Sequence, residues 1–200
     1  MIPRRPRLAA LAAASALALA ALTGCASDSF AQSYAADADS GYVAGDGSWQ
    51  IIPAGERKAP VEYSGVDETG ATRSNADTAG KVSVVNFWYA ACPPCRVEAE
   101  DLEALHQEFA PQGVSFLGVN VYDQAPTVES FNAEFGVTYP SILDVQNASV
   151  RLAFSDNVPP QAIPSTLVID RTGAVAAVIR GVADPSVLRT MIADVLAETP

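Results

Sequence analysis

The chain has 200 residues, which suits one domain of ordinary size with additional segments. It carries 12 Lys plus Arg against 23 Asp plus Glu, a formal net charge of −11. Nucleic-acid binding needs clustered Lys and Arg to neutralise phosphates, so this acidic balance argues against nucleic acid as a partner.

The first residues have the pattern of an export signal. Three arginines, Arg4, Arg5 and Arg7, precede an unbroken run of Ala, Leu and one Ser over residues 8–22. This run is shorter than the roughly 20 apolar residues that a membrane-spanning helix needs. A basic head followed by a short apolar stretch is typical of a signal peptide, which we predict over residues 1–24.

The apolar run ends at Leu22-Thr23-Gly24-Cys25, which resembles the lipobox of bacterial lipoproteins. In that class the cysteine is lipidated and becomes the mature N-terminus, so we predict Cys25 as a lipidation site. The alternative is an ordinary signal peptide followed by an unrelated cysteine. Residues 25–48 are rich in Ala, Ser, Asp and Gly, which predicts a flexible tether ahead of a domain over residues 49–200.

Hydrophobic periodicity predicts an α/β domain. In chain order, the predicted elements are an edge strand at 49–52, short strands near 61–66, a buried central strand at 82–89, a helix from 93 to about 113, a strand at 114–121, a helix at 127–135, a strand at 139–143, a helix at 148–154, a hairpin at 166–170 and 174–179, and a helix at 187–196. This order predicts a central mixed sheet flanked by helices.

Cysteine usage points to redox chemistry. Besides Cys25 the chain has only Cys92 and Cys95, and an exported protein with one C-x-x-C has either a structural disulfide or a redox centre. A bridge across two residues gains little stability from loop closure, which disfavours the structural role. A zinc site needs about four ligands, and the two cysteines with His106, the sole histidine, supply three.

The position of the pair suggests a division of labour. Cys92 lies between the predicted strand and helix, where helix N–H groups and the helix dipole favour a thiolate. We therefore predict Cys92 as a surface-accessible nucleophile. Cys95 lies one turn inward and is predicted to resolve the mixed disulfide.

Glu98 is the nearest carboxylate. It follows Cys95 by three positions and shares a helix face with Leu102, Leu105 and Phe109, the face turned to the sheet. Desolvation and a neighbouring thiolate are expected to raise the pKa of Glu98, which suits it to accept the proton that Cys95 loses. The alternative is a first-turn glutamate that only complements the helix dipole.

Three short segments, 85–88 (Val-Asn-Phe-Trp), 92–95 (Cys-Pro-Pro-Cys) and 163–166 (Ile-Pro-Ser-Thr), resemble the TlpA and ResA group of thioredoxin-like lipoproteins. The likeness covers roughly residues 58–197. It implies a thioredoxin-like fold with an N-terminal strand extension and a central insertion around 122–150. It also implies a membrane-anchored protein on the extracytoplasmic face that reduces disulfides in exported proteins such as apocytochrome c, supplied by a membrane electron donor. The redox-active Cys92–Cys95 disulfide would need no cofactor.

The same resemblance implies roles for further residues. Ile163–Pro164 is expected to be a cis peptide beside the cysteines, with Pro164 part of the catalytic site and the backbone of Ile163 paired with the extended chain of a client. The resemblance also supports the proton role of Glu98. From the residues alone, the alternative is that Pro164 is an ordinary strand-starting proline.

The chain departs from its relatives at two places. Ala91 stands where many carry Trp, with Tyr89 two residues earlier, which suggests a different partner. Asn86 stands where ordinary thioredoxins keep a buried acid, and an amide cannot act as a base, so Glu98 is the only nearby carboxylate. We expect His106 to be an exposed or boundary residue without a catalytic role.

The proline pair between the cysteines bears on the direction of electron flow. Pro94 lacks an N–H and cannot donate a hydrogen bond to the Cys92 thiolate. Such a charge-assisted bond is worth about 1.5–3 kcal/mol, roughly 30–65 mV for two electrons. Its loss favours a reductant, while an oxidant or isomerase of exported proteins, or a non-catalytic binding module with a structural bridge, remain alternatives.

Overall fold

The computed structural model describes residues 46–198. The strands are β1 (Trp49–Ile51), β2 (Ser64–Val66), β3 (Thr72–Ser74), β4 (Ser83–Trp88), β5 (Ser115–Asn120), β6 (Ser141–Leu143), β7 (Ser165–Ile169) and β8 (Val175–Arg180). The α-helices are α1 (Pro93–Phe109), α2 (Ala125–Phe135), α3 (Ser149–Ala153) and α4 (Pro185–Ala197), and short 3-10 helices span Ala54–Glu56, Asn75–Thr78 and Ala110–Gln112. The predicted signal peptide, Cys25 and nearly all of the predicted tether lie outside the described residues.

Six strands form one mixed sheet in the order β1-β8-β7-β4-β5-β6. Strand β4 runs parallel to β5, and β5 runs parallel to β6, whereas β7, β8 and β1 each pair antiparallel with their neighbours. All six residues of β4 are buried, as its β-branched and aromatic composition predicts for a central strand. The predicted mixed sheet and its N-terminal edge strand are confirmed.

The sheet separates two packed layers because alternate side chains of a strand point to opposite faces. On one face, Val85 and Phe87 of β4 join an apolar cluster with Tyr63 and Phe154. On the other face, Asn86 meets α1, and α1 packs against α4. Helix α4 also contacts β7 and β8, so α1 and α4 lie side by side on this face of the sheet.

Several boundaries differ from the prediction. Strands β2 and β3 form a separate two-stranded sheet, and β3 was not predicted because three half-exposed residues give no periodic signal. Helix α2 begins two residues before the predicted start because Pro126 occupies its first turn. Within residues 46–198, no helix combines the length and apolarity needed to cross a bilayer.

Candidate active site

The two cysteines lie at the connection between the end of β4 and the first turn of α1. Cys92 is the N-cap of α1, and Pro93 and Pro94 occupy the first turn, where the missing proline N–H groups leave no intrahelical bond unmade. Cys92 N–H donates to the Tyr89 carbonyl at 3.1 Å, which fixes the turn. Cys92 and Cys95 form a disulfide with an S–S distance of 2.02 Å.

The environment of Cys92 differs from the prediction in one respect. We expected an accessible outer sulfur, but in the disulfide form Cys92 is 1% exposed and Cys95 is 2% exposed. The bond itself covers one side of each sulfur, and the N–H of Cys95 approaches the Cys92 Sγ at 3.1 Å. Ala91 and Pro93 on either side are exposed, so the disulfide lies directly beneath the surface.

Glu98 lies inside the protein, one helical turn beyond Cys95. It is 1% exposed and shares its buried face with Leu102, Leu105 and Phe109, as predicted. Burial raises the pKa of Glu98 to about 7, although hydrogen bonds from the Ala183 N–H and the Asn86 amide oppose the rise.

Two donors fix the Glu98 carboxylate. Asn86 Nδ2 donates to Oε1 at 2.9 Å, and the Ala183 N–H donates to Oε2 at 2.8 Å. Asn86 Nδ2 also lies 3.0 Å from Thr166 Oγ1 and so joins β4 and β7 to α1. Asn86 cannot act as a base, but its role in positioning Glu98 was not predicted; the available signal was an amide among the apolar residues Val84, Val85, Phe87 and Trp88 of a buried strand.

The Ile163–Pro164 peptide is cis. It precedes β7, whose first residue, Ser165, pairs with Phe87 near the end of β4. The cis-proline loop therefore lies at the same edge of the sheet as the loop that carries Cys92. The Gly181 N–H donates to the Pro164 carbonyl at 2.9 Å, so the segment that reaches Glu98 through Ala183 also holds this loop.

A second group of polar residues holds the loop before Cys92. Asp123 Oδ2 accepts the Ala90 N–H at 2.6 Å and the Asn120 amide at 2.9 Å. Arg96 donates to the Ala90 carbonyl at 3.4 Å. These residues were not predicted as part of the site because they come from the end of β5 and from α1, and only the fold brings them to Ala90.

His106 stands apart from these contacts. It is half-buried, as expected for a boundary residue, and its ring packs 5.3 Å from Phe116 and 5.6 Å from Tyr139, measured between ring centroids. Across residues 46–198, no three His, Cys, Asp or Glu side chains are grouped to hold a metal ion.

The sequence of this chain matches a known protein family. The family model described as Redoxin matches residues 52–195. The chain belongs to the Redoxin family. Among the relatives of this Redoxin family member, a thiol-disulfide oxidoreductase ResA of Geobacillus kaustophilus is 35% identical over 115 residues, 58% of this chain and 63% of the relative's length. A thiol:disulfide interchange protein DsbE of Pseudomonas aeruginosa is 33% identical over 129 residues, 64% of this chain and 67% of that protein.

Solved structures agree on the fold of this Redoxin family member. A DsbF homologue from Corynebacterium diphtheriae has a TM-score of 0.66 at 29% identity, covering 76% of this chain and 96% of that one. A secreted thiol-disulfide isomerase from Corynebacterium glutamicum has a TM-score of 0.69 at 26% identity, covering 78% of this chain and 97% of that one. The predicted thioredoxin-like fold is confirmed.

Proposed function

We propose that this Redoxin family protein is an extracytoplasmic thiol-disulfide oxidoreductase that reduces disulfides in exported proteins through Cys92 and Cys95. The observation that carries the proposal is the Cys92–Cys95 pair at the N-terminus of α1, with a buried, hydrogen-bonded carboxylate one turn further along. Relatives named as a thiol-disulfide oxidoreductase and as a thiol:disulfide interchange protein support the same chemistry.

The reaction transfers two electrons to the client. In the reduced protein, the Cys92 thiolate attacks one sulfur of the client disulfide, and the other client sulfur leaves as a thiolate. Deprotonated Cys95 then attacks the Cys92 sulfur and expels the second client sulfur. The client ends as a dithiol and the protein as the Cys92–Cys95 disulfide, the form seen in this structure.

Glu98 accounts for the proton that Cys95 must lose. Positions 95 and 98 lie on one side of α1, and a carboxylate with a pKa of about 7 exchanges protons near neutral pH. The hydrogen bonds from Asn86 and Ala183 keep this carboxylate in place. Pro164 and the backbone of Ile163 are assigned, by the resemblance to the TlpA and ResA group, to hold the client's extended chain.

The anchor and the partners extend the proposal. The lipobox-like segment ending at Cys25 supports attachment to the outer face of the cell membrane, where a membrane thiol-disulfide protein would return electrons to the disulfide. The resemblance implies apocytochrome c as one client. Fatty-acid labelling of the wild type and of Cys25→Ala tests the anchor: label on both proteins, or on neither, contradicts it.

An isomerase or oxidant is the second candidate, favoured by the name of the Corynebacterium glutamicum neighbour. The reduction potential of the Cys92–Cys95 pair separates the two. A potential near −270 mV, the thioredoxin value, supports the reductase, whereas one near −120 mV, the DsbA value, contradicts it. Insulin reduction with dithiothreitol supplies the activity test, with Cys92→Ser as the inactive control. A protein that neither reduces insulin nor exchanges with dithiols would instead be a binding module.

A further inference from the structure

The surface beside the disulfide carries an aromatic pair built from two strand ends. Strands β4 and β5 are parallel and in register, with Trp88 opposite Asn120, so the residues that follow them emerge at the same edge. Tyr89 and Tyr122 meet there with ring centroids 5.0 Å apart and planes at 67°. Through its carbonyl, Tyr89 is hydrogen-bonded to the N–H of Cys92.

Tyr122 is held in place although it is open to solvent. Its N–H donates to Asn120 Oδ1 at 3.1 Å, and the next residue, Asp123, accepts the Ala90 N–H at 2.6 Å. The loop that carries Tyr122 is thus tied to the loop that carries Cys92. The Tyr122 residue is nevertheless 57% exposed, and among residues 46–198 it is the one aromatic residue in the group of large exposed apolar residues.

Arg151 restricts what this ring can bind. Its guanidinium carbon lies 5.5 Å from the centroid of the Tyr122 ring, and its Nε donates to Asp144 at 3.3 Å. Because the ring already has a cation over it, a second cation would be repelled. A neutral aromatic group can instead pack against the Tyr89–Tyr122 pair. Aromatic rings prefer tilted or edge-to-face packing with centroids about 4.5–7 Å apart. A ring held before binding also loses little conformational entropy when a client arrives.

We propose that Tyr122, supported by Tyr89, is a specificity-determining residue that binds a neutral aromatic side chain close to the reacting cysteine of the client. This inference rests on the proposed function and identifies its substrate class. It also accounts for Ala91, since the aromatic surface beside Cys92 comes from the ends of β4 and β5 and not from the residue before the first cysteine.

The test uses synthetic disulfide-bonded peptides that differ at one site. A single Phe replaces Ala at successive positions on either side of the peptide cysteines, and the fully reduced protein supplies the electrons in a single turnover. The second-order rate constant for reduction is compared between each Phe peptide and the all-Ala peptide. We expect the wild type to prefer the best Phe peptide by about two- to tenfold.

The variants identify the source of the preference. Tyr122→Ala is expected to bring the ratio of the two rate constants close to one, Tyr122→Phe to retain it, and Val66→Ala, an exposed residue on β2, to leave it unchanged. A change in thiol reactivity alone would scale both peptides equally and would not move this ratio. Equal rates for all peptides with the wild type, or a preference that persists in Tyr122→Ala, overturns the inference while the reductase stands. Reduction of no peptide overturns both.

Discussion

The side-chain amide of Asn86 donates to Glu98 Oε1 at 2.9 Å, in a contact where Asn86 is 5% exposed and Glu98 is 1% exposed. An amide at this position supports the carboxylate with a hydrogen bond and adds no second negative charge. The site therefore holds one titrating carboxyl group near Cys95. Its protonation is linked to both the stability and the chemistry of the protein.

Glu98 should make the stability of the oxidised protein depend on pH. The pKa of Glu98 rises from an ordinary value of 4.5 to about 7, so the folded protein binds more protons than the unfolded chain between these pH values. The stabilisation from this shift is fully present below pH 4.5 and is lost as pH rises through 7. It amounts to about 3 kcal/mol. In Glu98→Gln this loss should be absent from denaturant unfolding measured between pH 4 and 8.

The matched control is Glu100→Gln, which alters an exposed glutamate on the outer side of α1. Relative to the wild type, Glu98→Gln should gain stability as pH rises, whereas Glu100→Gln should show no comparable change. Parallel pH profiles for Glu98→Gln and the wild type would show that Glu98 does not titrate as described. They would also demote it to a residue that complements the helix dipole.

Asn86→Asp should turn the single carboxyl group into a coupled pair. The substitution keeps the side-chain shape but places a second acid 2.9 Å from Glu98, where two negative charges cannot both be accommodated. We expect one macroscopic pKa of the pair to exceed that of Glu98 in the wild type. Carboxyl titration by NMR with labelled side chains measures it. Asn147→Asp, at an exposed site, serves as control, and two pKa values both below that of wild-type Glu98 would refute the coupling.

A buried ion pair anchors the segment around Arg57, between β1 and β2. Arg57 donates to Asp170 at 2.8 Å and to Glu198 at 2.7 Å, and the side chains of Arg57 and Asp170 are 7% and 9% exposed. Burial alone would raise the pKa of Asp170, but hydrogen bonds from Thr172 and Arg57 hold it below its ordinary value. Arg57→Ala should raise the pKa of Asp170. At neutral pH it should also lower the free energy of unfolding by about 3–5 kcal/mol, because the buried Asp170 carboxylate would lose its cationic partner.

The Arg57 effect has a defined pH dependence. The lowered pKa of Asp170 stabilises the folded protein at pH values above the pKa of this group in the unfolded chain, and this stabilisation is lost as pH falls. The loss in free energy of unfolding caused by Arg57→Ala should therefore become smaller in acid, where Asp170 is protonated. The control Arg189→Ala breaks an ion pair with Glu108 whose side chains are 46% and 40% exposed. That change should cost about 0–1 kcal/mol. Equal costs for the two variants would contradict the role given to burial.

Much of the fold was readable from local sequence pattern. The apolar run before Cys92 and the helical spacing after it predicted β4 and α1, because both elements bury continuous or periodic apolar side chains. The same spacing placed Glu98 on the buried face. Strand β3 escaped prediction because its stability comes from pairing with β2, a contact that leaves no periodic trace in three residues.

The hydrogen bonds around Glu98 and Ala90 could not be predicted from local sequence pattern. The Ala183 N–H that holds the Glu98 carboxylate lies 85 residues from Glu98 in the sequence. It is a backbone group, so no side-chain type at that position indicates the contact. The Asp123 contact with Ala90 likewise depends on two parallel strands ending together. The near-complete burial of Cys92 in the disulfide form was also missed, because the local sequence pattern does not show how a residue between a strand and a helix is packed.

The central claim is that Cys92 exchanges with the client and Cys95 resolves the product, and trapping tests it most directly. Reduced Cys95→Ala is incubated with an oxidised disulfide peptide, and the adduct is mapped by mass spectrometry, with Cys92→Ser/Cys95→Ala as control. We predict a mixed disulfide through Cys92 that persists until a thiol reductant is added and is absent from the control. An adduct through Cys25, or efficient trapping by Cys92→Ala through Cys95 instead, would contradict the account.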